Sequence, residues 1–481
     1  MTSSTPPSTP PSTPPSTPPA PADLVVHGGT VVNAGGSAAA TVVVTDGRIV
    51  AVQDPALPLP PHRRAIDAAG SFVIPGGVDP HCHIGQRLGE YSQLDDYASA
   101  SIAALWGGTT TVVDFAIPDP GQRPIDAVAE RRKLAEISRC DTALHGCVIQ
   151  WDATTAGQIA EMATTGVRTI KLFTTYKDVV MAGPDTVLEV LRTLHAQGGI
   201  AYVHAEANHV IEDAQASAVA AGEAAAGHMP RTRPELAEAA AVAQVLATAE
   251  HVDAPVYFVH QTTAEAVDLV RAARRRGVRA YTETCPHYLY LDEGTYAGDH
   301  PERFVCCPPL RAPETVAQLR ARALVGDVDT LGSDHCCYST GQKSEHSHDV
   351  RVMPNGLPGV ETRLPVTFTQ LVVRGGMPVE RFVGMFATNP ARLNGLTGKG
   401  VLAPGHDADL VVLDPAGRRP ARIADLHMAT DYSPYEGEEL AGWPSVVVSG
   451  GRVVLDADGF HDPGPVGRAL HADPMPDHLI T

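Results

Sequence analysis

Short runs of β-branched residues occur near both ends of the chain. The N-terminal runs are "DLVVHGGTVV", "ATVVVTDGRIVAV" and "SFVIPG", and the Asp46-Gly47 pair inside the second run is typical of a tight hairpin turn. Near the C-terminus, "ADLVVLDP" and "SVVVSGGRVVLDADG" repeat the order of strand, glycine turn and strand. Because strand edges need hydrogen-bonding partners, we predict that both segments join in one small β-domain and do not form two separate sheets.

The middle of the chain has a different pattern, in which short apolar runs alternate with alanine-rich stretches such as "ELAEAAAVAQVLATAE" at 235–250. This alternation is typical of repeated β-α units and a parallel sheet, and about 325 residues suit one eight-stranded β/α barrel. The predicted fold class is therefore α/β, with a TIM-like (β/α)8 barrel and a smaller β-sandwich-like domain built from the N- and C-terminal segments.

The two ends of the chain complete the predicted organisation. Residues 4–19 are four copies of "STPP", which has no apolar group to bury, so this tail is expected to be disordered. The predicted segments are a Ser/Thr/Pro tail at 1–22, the first part of the β-domain at 23–74, the barrel at 75–400, the second part of the β-domain at 401–460, and a C-terminal extension at 461–481.

The apolar runs of the middle region end in residues that ionise or bind metals. In a β/α barrel the C-terminal ends of the strands converge on one mouth, so side chains that are far apart in sequence meet there. Residues without a shared function would instead be scattered over both ends of the barrel and over its helices. The residues at the strand ends are His81, His83, Asp114, Lys171, His204, Glu206, His260, Glu283 and Asp334.

The first strand end is "DPHCHIG", which follows the run "SFVIPGGV". Side chains alternate between the two faces of a strand, so His81 and His83 point to the same side while Cys82 points to the other. Two imidazoles on one face suit a metal ion, whereas an isolated pair is also compatible with hydrogen bonding inside a core. The convergence of the other strand ends is what favours a metal site.

Composition and charge narrow the range of partners and compartments. The 481 residues include 36 basic and 55 acidic side chains, and the formal charge of -19 disfavours nucleic acid and membrane surfaces as partners. The chain has neither an apolar run long enough to cross a bilayer nor the pattern of a secretory signal. Its eight cysteines, two pairs of them adjacent, do not have the spacing of a disulfide framework. We therefore expect a cytoplasmic protein with reduced thiols.

Several motifs occur in an order and spacing that resemble the hydantoinase and dihydropyrimidinase branch of the amidohydrolase superfamily. The resemblance extends from about residue 23 to residue 460 and is most specific in "ETCPHYL" and "PNGLPGVETR", together with the ordered strand-end residues. The other motifs are "VDPHCHIG", "GGTTTVVDF", "IKLFTTYK", "VHAE", "YFVH", "CCPPLR", "GSDHC" and "TNPARLNGL". The resemblance implies a metal-dependent hydrolase that acts on carbon–nitrogen bonds in cyclic amides.

The resemblance also implies a centre with two divalent metal ions. Nitrogen and oxygen ligands fit zinc best, with manganese, cobalt and nickel as alternatives. The implied ligands are His81 and His83 for the more buried ion, His204 and His260 for the more exposed ion, Asp334, and a modified Lys171 that bridges both ions.

Lys171 is the unusual member of this set. The resemblance implies that it reacts with carbon dioxide or bicarbonate to give N6-carboxylysine. A protonated ammonium cannot bind a cation, but two nearby dications lower the pKa of a lysine, and a carbamate supplies two anionic oxygens. The alternative is a lysine that only forms a salt bridge at a strand end.

The implied reaction is attack on the amide carbon by a hydroxide that bridges the two ions, since cations lower the pKa of bound water. Tyr176, in "KLFTTYK", matches the family's phenol that donates a hydrogen bond to the carbonyl oxygen as negative charge develops there. Asp334 would take the hydroxide proton and pass it to the departing nitrogen. The alternatives are a packing tyrosine and a helix-capping aspartate. His335 is expected to be structural.

Substrate recognition in the family relies on backbone groups near the "PPLR" and "PNG" motifs, which correspond here to Cys307 and Asn355. The family commonly has serine in place of Cys307, a change that matters only if the hydroxyl orients the ring. Relatives that open dihydroorotate have an arginine at the position of Gly85, and the arginine at 87 has the wrong offset. Allantoin-opening relatives usually have a cluster of glutamate, glycine, arginine and tryptophan after the histidines. That cluster is missing from "IGQRLGEYSQLDDY" as well.

The expected substrate is therefore a neutral small-molecule cyclic ureide or imide, either a dihydropyrimidine or a 5-substituted hydantoin, which would be opened to an N-carbamoyl amino acid. An allantoinase or dihydroorotase-like hydrolase is the alternative activity. A non-catalytic scaffold of the same fold is the alternative class, and the complete set of metal-binding positions argues against it. The segment after "DYSPYEG" resembles the family's subunit-contacting extension and implies a homo-oligomer, commonly a tetramer.

Overall fold

The computed structural model of the protein describes residues 20–88 and 90–475. Most of the predicted Ser/Thr/Pro tail and the last residues of the predicted C-terminal extension lie outside these ranges. Within them, no helix is both long enough and apolar enough to cross a membrane. All eight cysteines are described, and all are buried and unpaired, as expected for reduced thiols.

The middle of the chain forms a parallel sheet in which strands pair in their order along the chain. The short segment β8 pairs with β7, whereas β9, which follows it closely, pairs with β1. These two segments are halves of one interrupted strand, so the sheet closes on itself. The predicted TIM-like barrel is thereby confirmed. The segments are β1 (Gly77–His83), β2 (Thr109–Ala116), β3 (Asp141–Cys147), β4 (Thr169–Phe173), β5 (Ile200–His204), β6 (Val256–Phe258), β7 (Ala280–Thr284), β8 (Thr330–Leu331) and β9 (His335–Cys336).

Helices alternate with these strands and cover the outside of the barrel. The helix Pro184–Ala196 shows why they form, because it begins with proline and buries Val187, Leu191 and Leu194 on one face. The alanine-rich stretch forms the predicted helix, Glu235–His251. The longer helices are Tyr97–Trp106, Pro124–Leu134, Thr155–Thr164, Pro184–Ala196, Asn208–Ala220, Glu235–His251, Ala264–Arg274 and Pro313–Val325. Shorter helices are Met229–Thr232, Pro286–Tyr290, Thr340–Glu345, Arg363–Thr367, Val379–Val383 and Asn389–Leu393.

Strands from both ends of the chain form two further sheets. Phe72–Pro75 pairs with Leu410–Leu413, which joins the N-terminal and C-terminal segments in one sheet. Apolar side chains of the two sheets share one buried cluster, including Val26, Val44 and Val448. The strands are, in sheet order, Arg48–Gln53, Thr41–Thr45, Ala22–His27 and His62–Asp67 in one sheet, and Gly459–Phe460, Arg452–Asp456, Pro444–Ser449, Leu410–Leu413, Phe72–Pro75, Thr30–Asn33 and Gly36–Ala39 in the other.

The hairpin signal of the sequence is confirmed in the first of these sheets. Asp46 and Gly47 connect Thr41–Thr45 to Arg48–Gln53, and both have positive φ angles, 50° and 72°. A two-residue turn with this geometry matches the twist of the strands that it joins. Two small antiparallel pairs lie elsewhere, Arg87–Leu88 with Tyr91–Ser92 and Arg418–Pro420 with Glu439–Ala441.

Candidate metal centre

The barrel brings the predicted metal-binding residues to one mouth. Because all barrel strands are parallel, their C-terminal ends lie on the same side. Side chains of the set are buried or nearly so, and those of His83 and Asp334 are the most accessible, at 11% and 12%. His81 and His83 end β1, Lys171 lies in β4, His204 ends β5, His260 follows β6, and Asp334 lies between β8 and β9.

One half of the site consists of His81, His83 and Asp334. The Nε2 atoms of His81 and His83 lie 3.1 and 3.4 Å from Oδ1 of Asp334. Burial alone would raise the pKa of Asp334, but the neighbouring His81 and His83 hold that pKa well below its usual range. The carboxylate is therefore ionised and faces two imidazole nitrogens.

The other half of the site is the pair His204 and His260. Nδ1 of His204 and Nε2 of His260 face each other at 2.8 Å. The His260 ring also lies 5.4 Å from the His81 ring, measured between ring centroids, so the two halves adjoin. Burial lowers the pKa of His204 to about 4 and that of His260 well below its usual value. Both rings are therefore neutral at pH 7 and have lone pairs available for a metal.

Buried partners fix which nitrogen of each ring carries the proton. Nδ1 of His81 donates to Glu283 at 2.6 Å, and Nε2 of His204 donates to Glu206 at 2.7 Å. The amide oxygen of Gln86 accepts from Nδ1 of His83 at 3.2 Å, because its amide nitrogen donates to the Phe115 carbonyl. In each ring the opposite nitrogen then faces the interior of the site. Such outer partners are typical of histidines that bind metals.

Glu283 connects the two halves of the site. Its Oε1 accepts from Nδ1 of His81 and from the backbone N–H of His260, while its Oε2 accepts from the Tyr257 hydroxyl. Burial lowers the pKa of His81, but Asp334 and Glu283 outweigh this effect and raise the pKa to about 9. A dication in place of the His81 proton would satisfy the same two carboxylates.

Lys171 lies between the two halves in an apolar setting. Its Nζ is 4.6 Å from the centroid of the Phe115 ring and 4.9 Å from that of Phe173. Burial lowers its pKa to about 8, against the opposing charges of Asp334 and Glu283. About a tenth of the amine is therefore neutral at pH 7, and only the neutral amine reacts with carbon dioxide.

The donor set fits a divalent metal centre. Four imidazoles and a carboxylate converge, and they are ligands that suit zinc and its first-row neighbours. Within the described ranges, Nδ1 of His260 is a buried nitrogen without a hydrogen-bond partner. Leaving such an atom unsatisfied costs about 1–3 kcal/mol, which favours a role beyond packing.

Three site residues have strained backbones. Tyr176, His260 and Asp334 have φ angles of 65°, 40° and 47°, a region that L-residues rarely adopt. Each such residue costs on the order of 1–3 kcal/mol and is typical of functional sites. Gly332, two residues before Asp334, is required for a different reason, because a Cβ there would lie 2.7 Å from the Glu283 carboxylate and 2.9 Å from Cβ of His81.

The predicted substrate residues lie at the edge of the same site. The Tyr176 ring is 5.4 Å from the His204 ring, measured between ring centroids. Burial and the nearby Cys307 raise the pKa of Tyr176 well above its usual value, so the phenol stays protonated. Asn355 is connected less directly, since its carbonyl accepts from the thiol of Cys336 at 3.5 Å.

His335 connects the chain after Asp334 to neighbouring loops. Its Nε2 donates to Asp95 at 3.0 Å, and its Nδ1 accepts from the backbone N–H of Gly359 at 3.1 Å. Both ring nitrogens are therefore satisfied, which agrees with the structural role expected for this histidine. The ring also fixes the loop that carries Asn355 to the end of the barrel.

Sequence reasoning missed several residues that support the site. Gln86 holds His83, and Arg233 pairs with Glu206 and lies with its guanidinium carbon 4.8 Å from the centroid of the Tyr176 ring. Gln86 is only three residues from His83, a spacing that could have suggested contact. Arg233 has no such signal. Asp114, a predicted strand-end residue, pairs instead with Arg131 and accepts from the Tyr97 hydroxyl.

Known proteins resemble this chain over nearly its whole length. Residues 72–454 match the Amidohydrolase family. A D-hydantoinase from Ralstonia pickettii is 36% identical over 443 residues, which cover 91% of this chain and 96% of that protein. The crystal structure of dihydropyrimidinase from Brevibacillus agri NCHU1002 has a TM-score of 0.91 and 31% identity, covering 94% of this chain and 99% of its own. The L-hydantoinase from Arthrobacter aurescens has a TM-score of 0.85 and 27% identity, with coverages of 93% and 99%.

Proposed function

Because the chain belongs to the amidohydrolase family, and within it to the hydantoinase branch, we propose that it opens a neutral cyclic amide by metal-dependent hydrolysis. Membership of this family implies a divalent metal centre. The observation that carries the proposal is the convergence of four imidazoles on one barrel mouth, with Asp334 3.1 Å from His81 and His260 2.8 Å from His204.

The proposed centre holds two divalent ions, most readily zinc. His81 and His83 would hold one ion and His204 and His260 the other, with Asp334 as a further ligand. Carboxylated Lys171 would bridge the ions, which is supported by its burial and by its pKa of about 8. When bound, the ions supply a strong nucleophile at neutral pH and polarise the amide carbonyl.

In this proposal the protein groups move a proton and stabilise charge. Asp334 is ionised and buried, so it can accept a proton at Oδ1 or Oδ2 and return it to the leaving nitrogen. Tyr176 remains protonated and donates its hydroxyl hydrogen to the carbonyl oxygen as negative charge grows there. Its positive φ angle and its contact with Arg233 hold the ring against the mouth.

The surroundings of the site favour a neutral ring as the substrate. Arg233, beside Tyr176, is already paired with Glu206, and Arg311 is 3.5 Å from Glu238. Neither guanidinium is free to bind a substrate carboxylate, which argues against a dihydroorotase-like substrate. Dihydropyrimidines and 5-substituted hydantoins remain the proposed substrates, with an N-carbamoyl amino acid as the product. Backbone groups of Cys307 and Asn355 are proposed to bind the ring.

We also propose that the protein forms a homo-oligomer, namely a tetramer. It is supported by the resemblance of the segment after residue 437 to the family's subunit-contacting extension. Size-exclusion chromatography with light scattering would measure the number of subunits, and a monomeric protein would contradict this part.

A hydrolysis screen tests the proposal. The protein, loaded with zinc in the presence of bicarbonate, would be incubated with dihydrouracil, hydantoin, several 5-substituted hydantoins, succinimide, allantoin and dihydroorotate. We expect turnover of at least one neutral ring and no turnover by Asp334→Ala. Asp152→Ala is the control, because this exposed aspartate only caps a turn at Thr154. A zinc-loaded protein that hydrolyses none of the rings would be the scaffold of the alternative class.

A further inference from the structure

Two side chains beside Asp334, a thiol and an imidazole, have no role in the proposed hydrolysis. Cys285 directly follows β7 and precedes the helix Pro286–Tyr290, and His287 lies in the first turn of that helix. The Cys285 sulfur, a ring nitrogen of His287 and a carboxylate oxygen of Asp334 all lie within 4.8 Å of one another. The three residues are 0%, 3% and 9% exposed. This distance is short enough for one cation to contact all three after small side-chain movements.

His287 differs from the structural histidines of this barrel. The core residue His145 bonds to the Thr169 hydroxyl at 2.7 Å and to the Pro80 carbonyl at 2.9 Å, one partner for each ring nitrogen. His335 likewise has both nitrogens bonded. Nε2 of His287, by contrast, is buried without a hydrogen-bond partner in the described part of the chain. Since an unsatisfied buried nitrogen costs stability, packing alone does not account for it.

We propose that Cys285, His287 and Asp334 form an additional site for a thiophilic divalent cation. A thiolate, an imidazole and a carboxylate are a ligand set that selects zinc, cobalt or cadmium over magnesium or calcium. The Cys285 thiol is free, but burial and the nearby carboxylates raise its pKa well above the usual value, so it loses its proton only as the metal–sulfur bond forms. The bond formed is metal–sulfur, and the thiol proton goes to solvent.

Occupancy of this site inhibits hydrolysis, a consequence that depends on the proposed function. Asp334 belongs to two groups of potential ligands, one with His81 and His83 and one with Cys285 and His287. The additional cation would occupy the carboxylate oxygen of Asp334 that the proposed metal centre leaves free, and would draw the group toward β7. The carboxylate can then neither accept the proton nor return it to the leaving nitrogen. The binding itself requires only the three side chains.

The test is a cobalt titration of the protein already loaded with two equivalents of zinc. We expect a further equivalent of cobalt to bind, with a near-ultraviolet charge-transfer band of the cobalt–thiolate bond. Hydrolysis should fall by about tenfold or more in parallel with the band, as expected when a general acid–base group is lost. Cys285→Ala should remove both the band and the inhibition while retaining the activity measured without cobalt. His287→Gln should weaken binding at least tenfold and serves if the cysteine variant does not fold.

Cys140→Ala is the matched control, because Cys140 is another buried thiol but lies just before β3, at the opposite end of the barrel. It should keep both the band and the inhibition. A band that survives in Cys285→Ala, or inhibition without any band, would overturn the proposal. The test is separable from that of the hydrolase, since the band and the cobalt stoichiometry report on the site even if no cyclic amide is turned over.

Discussion

Replacing Glu283 with glutamine removes one negative charge beside the proposed metal centre and hardly changes side-chain size. Oε1 of Glu283 accepts from Nδ1 of His81 at 2.6 Å and from the His260 backbone at 3.0 Å, and Oε2 accepts from Tyr257 at 2.7 Å. The amide group of glutamine has one acceptor oxygen and two N–H donors. Whichever way it is oriented, it loses at least one of these interactions and loses the charge in all of them.

The size of the effect follows from the role of this carboxylate. Outer partners of metal-bound histidines are worth about 10- to 100-fold in metal affinity, which corresponds to about 1.4–2.7 kcal/mol. A second effect has the opposite sign. Glu283 helps to raise the pKa of metal-free His81 to about 9, so the variant has less competition from protons at pH 7. The full loss of affinity is therefore expected above pH 9, with a smaller loss at pH 7.

The assay is competition for zinc with a chromophoric chelator, at pH 7 and above pH 9. Glu238→Gln is the matched control, because Glu238 is an equally buried glutamate that accepts from Thr262 and Thr263 and contacts no predicted ligand. Its zinc affinity should match that of the unmodified protein. A zinc affinity of Glu283→Gln within about twofold of the control above pH 9 would refute the reasoning, since the outer-partner effect is at least about tenfold.

Three other outcomes are expected. Reactivation of metal-free protein should be faster with bicarbonate and above pH 8, because the neutral amine of Lys171 increases as pH rises through its pKa of about 8. In the same activity assay, Lys171→Ala should show no bicarbonate dependence. Tyr176→Phe should lower kcat by about 100- to 1000-fold, while zinc content measured by mass spectrometry stays unchanged. Asp141→Asn should lower the free energy of unfolding by about 3 kcal/mol at pH 7, because the buried Asp141 carboxylate accepts from Lys399 and Arg468. These partners outweigh burial and lower the pKa of Asp141. The stabilisation by Asp141 is therefore complete above the unfolded pKa of about 4 and is lost as pH falls through the folded value. Denaturant titrations in which the stability difference between the two proteins persists well below that pH would contradict this.

The sequence predicted the parts of the site that depend on periodicity and topology. Alternation along β1 placed His81 and His83 on one face, and barrel topology brought the ends of distant strands together. It could not predict contacts that depend on loop conformation. Arg233 reaches Glu206 only because of the turn after the helix Met229–Thr232, and no periodic pattern describes that turn.

Asp114 also shows that the position of a residue at a strand end does not by itself predict its role. Its place at the end of an apolar run is like that of the predicted ligands, yet Arg131 from the following helix and Tyr97 from the preceding helix pair with it. The Arg131 guanidinium also donates to the carbonyl of Ile84, which supports the chain just after His83. A strand-end carboxylate thus stabilises the wall of the site, and only the helix positions distinguish that role from binding a metal.

The interruption of the last barrel strand links closure of the barrel to the position of the proposed acid–base group. The Gly332 N–H donates to the Thr284 carbonyl of β7, and the Asp334 N–H donates to the His81 carbonyl of β1, so the chain crosses from one neighbour to the other within three residues. A regular strand would point the side chain of residue 334 into a fixed alternating position. The crossing instead requires the positive φ of 47° at Asp334, which turns its carboxylate toward His81 and His83. The backbone strain at this residue, about 1–3 kcal/mol, is therefore the direct cost of closing the barrel at the point where the carboxylate is needed.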